Sequence, residues 1–301
     1  MSTQSEDSFR CGFAAVVGRP NAGKSTLVNA WVAEKVSMVA PSPQTTRNRI
    51  LGIANRPQAQ VILMDTPGIH KPLSRLNRQM MSFVRDALES REVALLVVDA
   101  AANFGHGDQF TLDLLKPYRV PTLLAFNKID RIRKDRLLPL IDRYAKLYDF
   151  EEIFPISALT GDGLEELLQS VIRRLPIGPA LFPPDHYTDQ PERFLAAEMI
   201  REKVILHTHQ ELPYVTAVWI EDLQESERLT HIRASIVVEK DSQRAIVIGA
   251  EGARVKQIGI DARKDLERLF PPQVFLELHV RVEPNWRDRP AFVLSLDYRN
   301  Q

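Results

Sequence analysis

Cysteine is almost absent from this chain, and neither a strong net charge nor a long apolar run is present. The one cysteine among 301 residues, Cys11, excludes an intrachain disulfide and suits a reducing compartment. Lysine and arginine total 39, as do aspartate and glutamate, so the bulk charge indicates neither a polyanion nor a membrane as partner. Apolar runs such as VALLVV are far shorter than the roughly 20 residues of a membrane helix. We therefore expect a cytoplasmic protein.

The order of apolar runs predicts two domains. FAAVV, VILM, VALLVVD, TLLAFN and IFPIS are continuous apolar strands separated by amphipathic stretches, which predicts a mostly parallel sheet flanked by helices, an α/β fold. PIGPALFPPD has four prolines in ten residues, which indicates a linker, and the pattern beyond it predicts an α+β domain. We predict a flexible tail (1–9), an α/β domain (10–176), a proline-rich linker (177–191) and an α+β domain (192–301).

A phosphate-binding loop follows the first predicted strand. GRPNAGKS, residues 18–25, fits the pattern G-x-x-x-x-G-K-[ST] between a strand and a helix. Backbone N–H groups of such a loop surround the phosphates, Lys24 reaches the β- and γ-phosphates, and the Ser25 hydroxyl binds Mg²⁺. A chance match to a glycine turn is the alternative, which the flanking strand and helix disfavour. The nucleotide-binding residues expected here are Gly18, Arg19, Pro20, Asn21, Ala22, Gly23, Lys24, Ser25 and Thr26.

The motif DTPG, residues 65–68, follows the buried run VILM. Ligands bind at the carboxyl ends of parallel strands, so Asp65 is expected to hold Mg²⁺ and the Gly68 N–H to contact the γ-phosphate. D-x-x-G is common in turns, but its place after a phosphate loop favours this interpretation. Many GTPases carry a glutamine at the next position to orient the attacking water. Ile69 stands there in this chain, so we predict slow intrinsic hydrolysis.

Two threonines are candidates for a switch loop. Thr45 and Thr46 lie about twenty residues past Ser25, where a switch hydroxyl would complete the Mg²⁺ ligands; surface polarity is the alternative. The predicted metal ligands are Ser25, Thr45, Thr46 and Asp65, and the predicted catalytic groups are Lys24, Thr45, Thr46 and Gly68. Asn21 is a candidate for binding K⁺ beside the phosphates, with a plain turn residue as the alternative.

Two later motifs favour guanine as the base. In NKID, Asp130 can accept hydrogen bonds from guanine N1–H and the exocyclic amine together, Asn127 can face the O6/N7 edge, and Lys128 can lie along the base. A site built on such pairs rejects adenine, because buried polar groups would be left unpaired. In SAL, comprising Ser157, Ala158 and Leu159, the Ala158 N–H is placed for guanine O6. A solvated turn is the alternative for NKID alone. The predicted ligands are GTP and GDP with Mg²⁺.

A second glycine loop lies in the α+β domain. VIGAEGARVKQI fits the KH module, in which a GXXG loop between two helices clamps the backbone of about four single-stranded nucleotides. Residues 181–301 carry 16 basic and 20 acidic side chains, a net charge of −4, which disfavours RNA. A packing turn between two helices is therefore the alternative. The RNA-binding residues predicted by the KH interpretation are Ile248, Gly249, Ala250, Glu251, Gly252, Arg254 and Lys256.

Taken together, these motifs resemble the Era family of GTPases over nearly the whole chain. GRPNAGKSTLVN, QTTR, DTPGIHKP, NKID and SAL carry the resemblance in the first domain, and EKDSQRAIVIG, IGIDARKDLERLF and VFLELHVRV carry it in the second. It implies an Era-type G domain followed by an RNA-binding KH domain. It also implies a monomeric GTPase of 30S ribosomal subunit assembly that binds small-subunit (16S) ribosomal RNA near its 3′ end, with peripheral contact at the inner face of the cell membrane.

The chain departs from the family in the GXXG loop, which commonly carries a lysine and another glycine. Ala250 and Glu251 stand there instead, and a carboxylate beside a phosphate weakens the contact. Two other classes of function therefore stay open. One is a GTP-regulated signalling switch whose second domain binds a protein or a membrane. The other, favoured by Ile69, is a scaffold that binds GTP but barely hydrolyses it.

Overall fold

The computed structural model describes residues 9–40, 46–70, 75–208, 212–270, 273–296 and 298, without the side chain of residue 75. They form two compact units with the main division between Asp189 and Gln190. Among these residues, no helix is both long enough and apolar enough to cross a bilayer. Each unit contains its own sheet, and each is described separately below.

The first unit is an α/β domain. Its strands are β1 (Arg10–Val17), β2 (Ile50–Arg56), β3 (Ala59–Asp65), β4 (Val93–Asp99), β5 (Thr122–Asn127) and β6 (Glu152–Pro155). Its helices are α1 (Lys24–Val32), α2 (Arg75–Glu89), α3 (His106–Leu115), α4 (Leu137–Ala145) and α5 (Leu164–Arg174). The sheet order is β2-β3-β1-β4-β5-β6, and only the β2–β3 pair is antiparallel. The predicted mostly parallel sheet is confirmed.

The sheet is buried on both faces, which explains why its strands read as continuous apolar runs. In β1, Ala14 and Val16 belong to one core cluster, together with Trp31. Ala15 and Val17 belong to the cluster on the other face. The carboxyl ends of β1, β3, β5 and β6 carry the loops that contain the predicted nucleotide motifs.

Strand β2 was not among the predicted strands. It pairs with β3 from Ile50 opposite Asp65 to Arg56 opposite Ala59. Its sequence, ILGIANR, includes a glycine and an asparagine, which are depleted in strands. A Cβ at Gly52 would lie 2.7 Å from a Val28 methyl group, so the glycine lets α1 pack closely on this strand. The strand pattern is weakened by a residue that helix packing requires.

Most of the predicted linker, 177–191, is hydrogen-bonded within the first unit. The Gly178 N–H donates to the Phe9 carbonyl at 2.9 Å, and the Ile53 N–H donates to the Tyr187 carbonyl at 2.9 Å. The buried side chain of Gln60 accepts from the N–H groups of residues 181 and 182. These contacts attach the proline-rich stretch to the first unit, which extends to residue 189. The predicted domain limits stay a prediction.

The second unit has the α+β fold predicted for it. Its helices are α6 (Glu192–His207), α7 (Leu212–Val215), α8 (Asp241–Ile248), α9 (Ala253–Leu269) and α10 (Pro290–Ser295), and its strands are β7 (Ala217–Glu225), β8 (Thr230–Val238) and β9 (Val274–Val282). The sheet order is β7-β8-β9. β7 and β8 are antiparallel, whereas β8 and β9 are parallel. A parallel pair needs a crossover, and α8 and α9 provide it, with the GXXG loop between them.

Candidate nucleotide and RNA sites

The predicted phosphate loop lies between β1 and α1. Gly18, Asn21 and Gly23 have φ values of 149°, 61° and 95°, and this left-handed region favours glycine. A Cβ at Gly18 would lie 2.2 Å from the Val97 carbonyl oxygen, so only glycine fits. The loop ends at the N-terminus of α1, where unpaired N–H groups and the helix dipole favour a bound anion. The residues predicted around the phosphates, 18–26, therefore lie together at a helix N-terminus whose geometry suits an anion.

Lys24 is buried against the loop that it follows. Its Nζ donates to the carbonyl oxygens of Gly18, at 3.1 Å, and Arg19, at 3.0 Å. Burial lowers the pKa of Lys24 to about 8, although the neighbouring Asp65 carboxylate opposes this shift. An ammonium group in such a site gains strongly from a nearby anion, since it has lost its hydration. This geometry suits a lysine that pairs with phosphate.

Three predicted metal ligands converge beside Lys24. The Ser25 hydroxyl donates to Asp65 Oδ2 at 2.7 Å and lies 2.8 Å from the Thr46 hydroxyl. Asp65 is fully buried, and its Oδ1 atom has no hydrogen-bond partner. Burial raises the pKa of Asp65, with Lys24 as the main opposing influence. A buried carboxylate oxygen without a partner, beside two hydroxyl groups, is the hard oxygen set that Mg²⁺ prefers.

Of the threonine pair, only Thr46 lies in the described part of the chain; Thr45 lies outside the described residues. Thr46 is 5% exposed, and its hydroxyl contacts Ser25. This contact supports Thr46 as the switch hydroxyl.

Gly68 packs directly on the phosphate loop. A Cβ there would lie 2.7 Å from the Pro20 N, Cα and Cγ atoms, so the DTPG backbone approaches the loop as closely as glycine permits. The next residue, Ile69, is 1% exposed and packs in the core cluster that includes Met64. Its N–H donates to the Gly18 carbonyl at 3.0 Å. The side chain at the position of the usual glutamine therefore points into the core and cannot orient a water.

Asn127 joins three of the predicted motifs. Its Nδ2 donates to the Ala22 carbonyl at 2.8 Å, and its Oδ1 accepts from the N–H groups of Ala158, at 2.9 Å, and Lys128, at 2.8 Å. A Cβ at Gly23 would lie 2.1 Å from that same Nδ2 atom. The asparagine thus fixes the phosphate loop, NKID and SAL relative to one another, a role that sequence reasoning missed. Its predicted contact with guanine stays a prediction.

The other residues of the two predicted guanine-binding motifs, NKID and SAL, lie around this asparagine. Ser157 Oγ donates to Asp130 Oδ1 at 2.7 Å, which orients a carboxylate that is otherwise exposed. Lys128 Nζ donates to the Asn21 carbonyl at 2.7 Å and to Asp99 Oδ2 at 2.6 Å. The Leu159 side chain is 80% exposed. Asp99 was also missed, although its position at the end of VALLVVD was a usable signal.

The second glycine loop is open to solvent. Gly249 and Gly252 have φ values of 75° and 78°, and Glu251 has a φ of 49°. A Cβ at Gly249 would lie 2.7 Å from Arg254 Cβ, whereas a Cβ at Gly252 would meet no atom within 4 Å. Ile248 is half-buried, while Ala250 and Glu251 are exposed. The loop therefore presents backbone, and one carboxylate, to an incoming chain.

The basic side chains around this loop are partly engaged. The Arg254 guanidinium donates to the Ile246 carbonyl at the end of α8, so it holds the turn together. Lys264 pairs with Asp261 at 3.1 Å, and Lys256 is exposed. Ile258, on the helix that follows the loop, is buried. The predicted RNA-binding residues thus share one surface, with Lys256 as its most available cation.

Comparison with known proteins places these sites in a family. Residues 13–128 match the family described as 50S ribosome-binding GTPase, and residues 211–287 match the KH domain. GTPase Era of Syntrophus aciditrophicus (strain SB) is 47% identical over 292 residues, 96% of this chain and 95% of that protein. GTPase Era of Geotalea uraniireducens (strain Rf4) is 45% identical over 294 residues, 97% and 99% of the two chains.

Two solved structures match the chain over nearly its whole length. Both are 39% identical to it, and each match covers 96% of this chain and 99% of the other. One is a variant of Aquifex aeolicus Era bound to GDP·AlF₄⁻, with a TM-score of 0.92. The other is Era in complex with MgGDPNP and nucleotides 1506–1542 of 16S ribosomal RNA, with a TM-score of 0.93. The phosphate loop and the GXXG loop of this chain lie within the residue ranges that match the two family models.

Proposed function

The chain belongs to the Era family of GTPases, and we propose that it couples GTP binding and hydrolysis to binding of small-subunit ribosomal RNA near its 3′ end, in 30S subunit assembly. The convergence of Lys24, Ser25, Thr46 and Asp65 on one buried site carries the GTPase half. The solved Era complex with a GTP analogue and 16S ribosomal RNA supports the RNA half.

Catalysis at this site rests on positioning and charge. When bound, Mg²⁺ neutralises charge that develops on the phosphate oxygens, and Ser25, Thr46 and Asp65 would hold it. The Lys24 ammonium and the N–H groups of the loop add to this stabilisation from a buried, preorganised site. Because the oxygen of Asp65 and the ammonium are already desolvated, little reorganisation is needed when the phosphates arrive.

Hydrolysis is slow in this proposal because the Ile69 side chain is buried in the core. Position 69 therefore offers no glutamine amide to orient the attacking water, so the intrinsic rate of hydrolysis is expected to be slow. Single-turnover hydrolysis, measured with and without 30S subunits, distinguishes a partner-stimulated GTPase from a scaffold. Fast multiple turnover by the purified chain alone would contradict the slow rate.

The RNA half is tested by binding of a short single strand that copies the 3′ end of 16S ribosomal RNA. We would compare GDP with a non-hydrolysable GTP analogue, and wild type with Gly252→Asp and Gly252→Ala. Both substitutions impose the same positive φ in the same open space, so their difference isolates the added carboxylate. Gly178→Asp, also in open space, adds the same charge in the first unit.

We expect wild type to bind the RNA in a salt-sensitive manner and more tightly with the GTP analogue than with GDP. Gly252→Asp should abolish this binding, whereas Gly252→Ala and Gly178→Asp should largely retain it. A salt dependence is required, since each neutralised phosphate on a single strand contributes roughly −0.7 to the slope of log affinity against log salt. The absence of binding in either nucleotide state would instead favour the signalling switch, whose second domain binds a protein or a membrane.

Three further proposals complete this function. We propose that the chain is a monomer, which light scattering tests. We propose also that it works in the cytoplasm with peripheral contact at the inner face of the cell membrane, which flotation with anionic vesicles tests.

We also propose that Asn21 helps to bind K⁺ beside the phosphates; its φ of 61° marks a constrained turn position. Equal hydrolysis rates in potassium and sodium buffers would exclude that role.

A further inference from the structure

The side chain of Arg19 leaves the phosphate loop to which its backbone belongs. Its carbonyl oxygen accepts a hydrogen bond from Lys24 Nζ at 3.0 Å. Its guanidinium contacts a different residue: Arg19 Nη1 donates to Asp108 Oδ2 at 2.7 Å. One residue therefore contacts both the phosphate-binding lysine and helix α3. Sequence reasoning predicted Arg19 among the nucleotide-binding residues but assigned its side chain no partner.

Asp108 is held in a site built for a carboxylate. It is the third residue of α3 and 5% exposed, and its Oδ2 also accepts from the Gly105 N–H at 2.8 Å. The Tyr144 hydroxyl lies in the electrostatic field of this carboxylate: burial, followed by the Asp108 charge, raises the pKa of Tyr144. Hydrogen bonds to a buried carboxylate are strong, and each costs more when its partner is lost.

The tyrosine is itself immobilised. Tyr144 is 1% exposed, and its ring packs edge-on between Phe104, at 5.3 Å, and Phe126, at 5.2 Å between centroids. A Cβ at Gly107 would lie 2.8 Å from Arg19 Nε, so the absence of a side chain there makes room for the guanidinium. The aromatic contacts, the helix N-terminus and the glycine all fix the place to which Arg19 is bound.

We propose that Arg19, Asp108 and Tyr144 are positioning residues that hold the phosphate loop in its nucleotide-binding conformation and thereby slow the release of GDP. The loop needs such support because Gly18 and Gly23 give it more backbone freedom to lose on ordering, and because Asn21 holds a positive φ of 61°, which is costly for a non-glycine residue. A loop ordered before binding loses less conformational entropy when the phosphates arrive. The proposal concerns how long nucleotide stays bound, and it rests on nucleotide binding in the proposed function.

The experiment measures GDP dissociation by stopped-flow with a fluorescent GDP analogue, on the full chain. Arg19→Gln and Asp108→Asn each remove the charge pair, and Tyr144→Phe removes one hydroxyl while keeping the ring. Arg19→Lys preserves a cation that can reach Asp108. Asp113→Asn is the matched control, since Asp113 lies on the same helix and accepts from Lys116 and Gln109 in an exposed pair.

We expect Arg19→Gln and Asp108→Asn to release GDP about tenfold faster, which corresponds to about 1.4 kcal/mol. Tyr144→Phe should show about a threefold effect, whereas Arg19→Lys and Asp113→Asn should stay within about twofold of wild type. The double variant Arg19→Gln/Asp108→Asn should be no faster than either single variant, because the two residues form one interaction. Thermal unfolding should change little for Arg19→Gln, whose side chain is 40% exposed in the wild type.

An unchanged rate of GDP release from Arg19→Gln would overturn this proposal. So would a double variant Arg19→Gln/Asp108→Asn in which the rate increases of the two single variants multiply. An equal effect of Asp113→Asn would also overturn it, since any loss of a helix carboxylate would then suffice. If Asp108→Asn does not fold, Arg19→Gln and Tyr144→Phe still decide. Absence of GDP binding by the wild type would count against the proposed function instead.

Discussion

The two glycine loops of this chain both open a helix, but they are built in opposite ways. In the phosphate loop, a Cβ at Gly18 or Gly23 would lie within 2.2 Å of Val97 or Asn127 atoms. In the GXXG loop, a Cβ at Gly252 would meet nothing within 4 Å. Glycine is required in the first loop by its protein neighbours, whereas at Gly252 no neighbouring atom requires it and only the positive φ favours it.

The difference shows what each loop can recognise. The phosphate loop is buried and preorganised around the cation of Lys24, so it can bind a single compact anion tightly. The GXXG loop has no buried cation and exposes Glu251, so its binding depends on many weak contacts along a chain. Four predictions test this contrast, in order of decreasing effect.

Lys24→Met should produce the largest effect. It replaces the buried ammonium by a side chain of similar length, and loss of one preorganised electrostatic group typically costs about 10²- to 10³-fold in rate. Single-turnover GTP hydrolysis measures the effect. RNA affinity in the absence of nucleotide is the control and should be unchanged, because the GXXG loop lies in the other unit. A variant that keeps its hydrolysis rate within tenfold would show that the buried lysine is not essential.

Gly18→Ala and Gly252→Ala test the steric contrast directly. Alanine at position 18 clashes with the Val97 carbonyl, and overpacking of roughly 1–3 kcal/mol should weaken GDP binding by up to about 100-fold. Alanine at position 252 meets open space, so RNA affinity should fall by no more than about threefold, since the strain of the positive φ is present in the free and bound states alike. Titration of each ligand against each variant measures both effects. Comparable losses at the two loops would refute the contrast.

Most of the nucleotide site could be predicted because its motifs are local. The phosphate loop, DTPG, NKID and SAL are short, and each follows a strand whose pattern is visible in the sequence. The parallel sheet then brings their carboxyl ends together without further information. The α+β fold of the second unit was predicted from the different order of helix and strand patterns that follows the proline-rich stretch. These features depend on residues that are close together in the sequence, so the sequence alone is enough to predict them.

What sequence reasoning missed depends on contacts between distant residues. Strand β2 was hidden by Gly52, which is needed for packing on α1. His207 Nε2 lies 2.9 Å from Asp261 Oδ2 on another helix. The partner of Arg19 is 89 residues away along the chain. Side-chain direction at such positions is set by tertiary packing, which no local pattern encodes.

The buried lysine also predicts a pH effect that the open loop should lack. The folded pKa of Lys24 is about 8 and an unfolded lysine has a pKa near 10.4, so between these values the unfolded state binds more protons. The free energy of unfolding of wild type, relative to Lys24→Met, should therefore rise with pH across this window, by at most about 1.4 kcal/mol per pH unit. Urea unfolding of the nucleotide-free proteins from pH 7 to pH 10 measures this difference. A relative stability that falls over the same range would contradict the assigned burial.

Glu251→Lys should have the smallest effect, and it sharpens the contrast from the side of the open loop. Replacing an anion by a cation beside a phosphate reverses a pair energy of ~1 kcal/mol in water, a change of about 2 kcal/mol, which salt screening reduces to roughly 1 kcal/mol. RNA should therefore bind about fivefold more tightly, with a salt slope steeper by roughly 0.7 for one added phosphate contact. Glu251→Gln should fall midway in affinity. Glu227→Lys, on the exposed turn between β7 and β8, makes the same charge change outside the loop and should alter affinity by less than about twofold. If both lysine variants strengthen binding equally, the net charge of the unit controls affinity, and the GXXG loop is not where the phosphates lie.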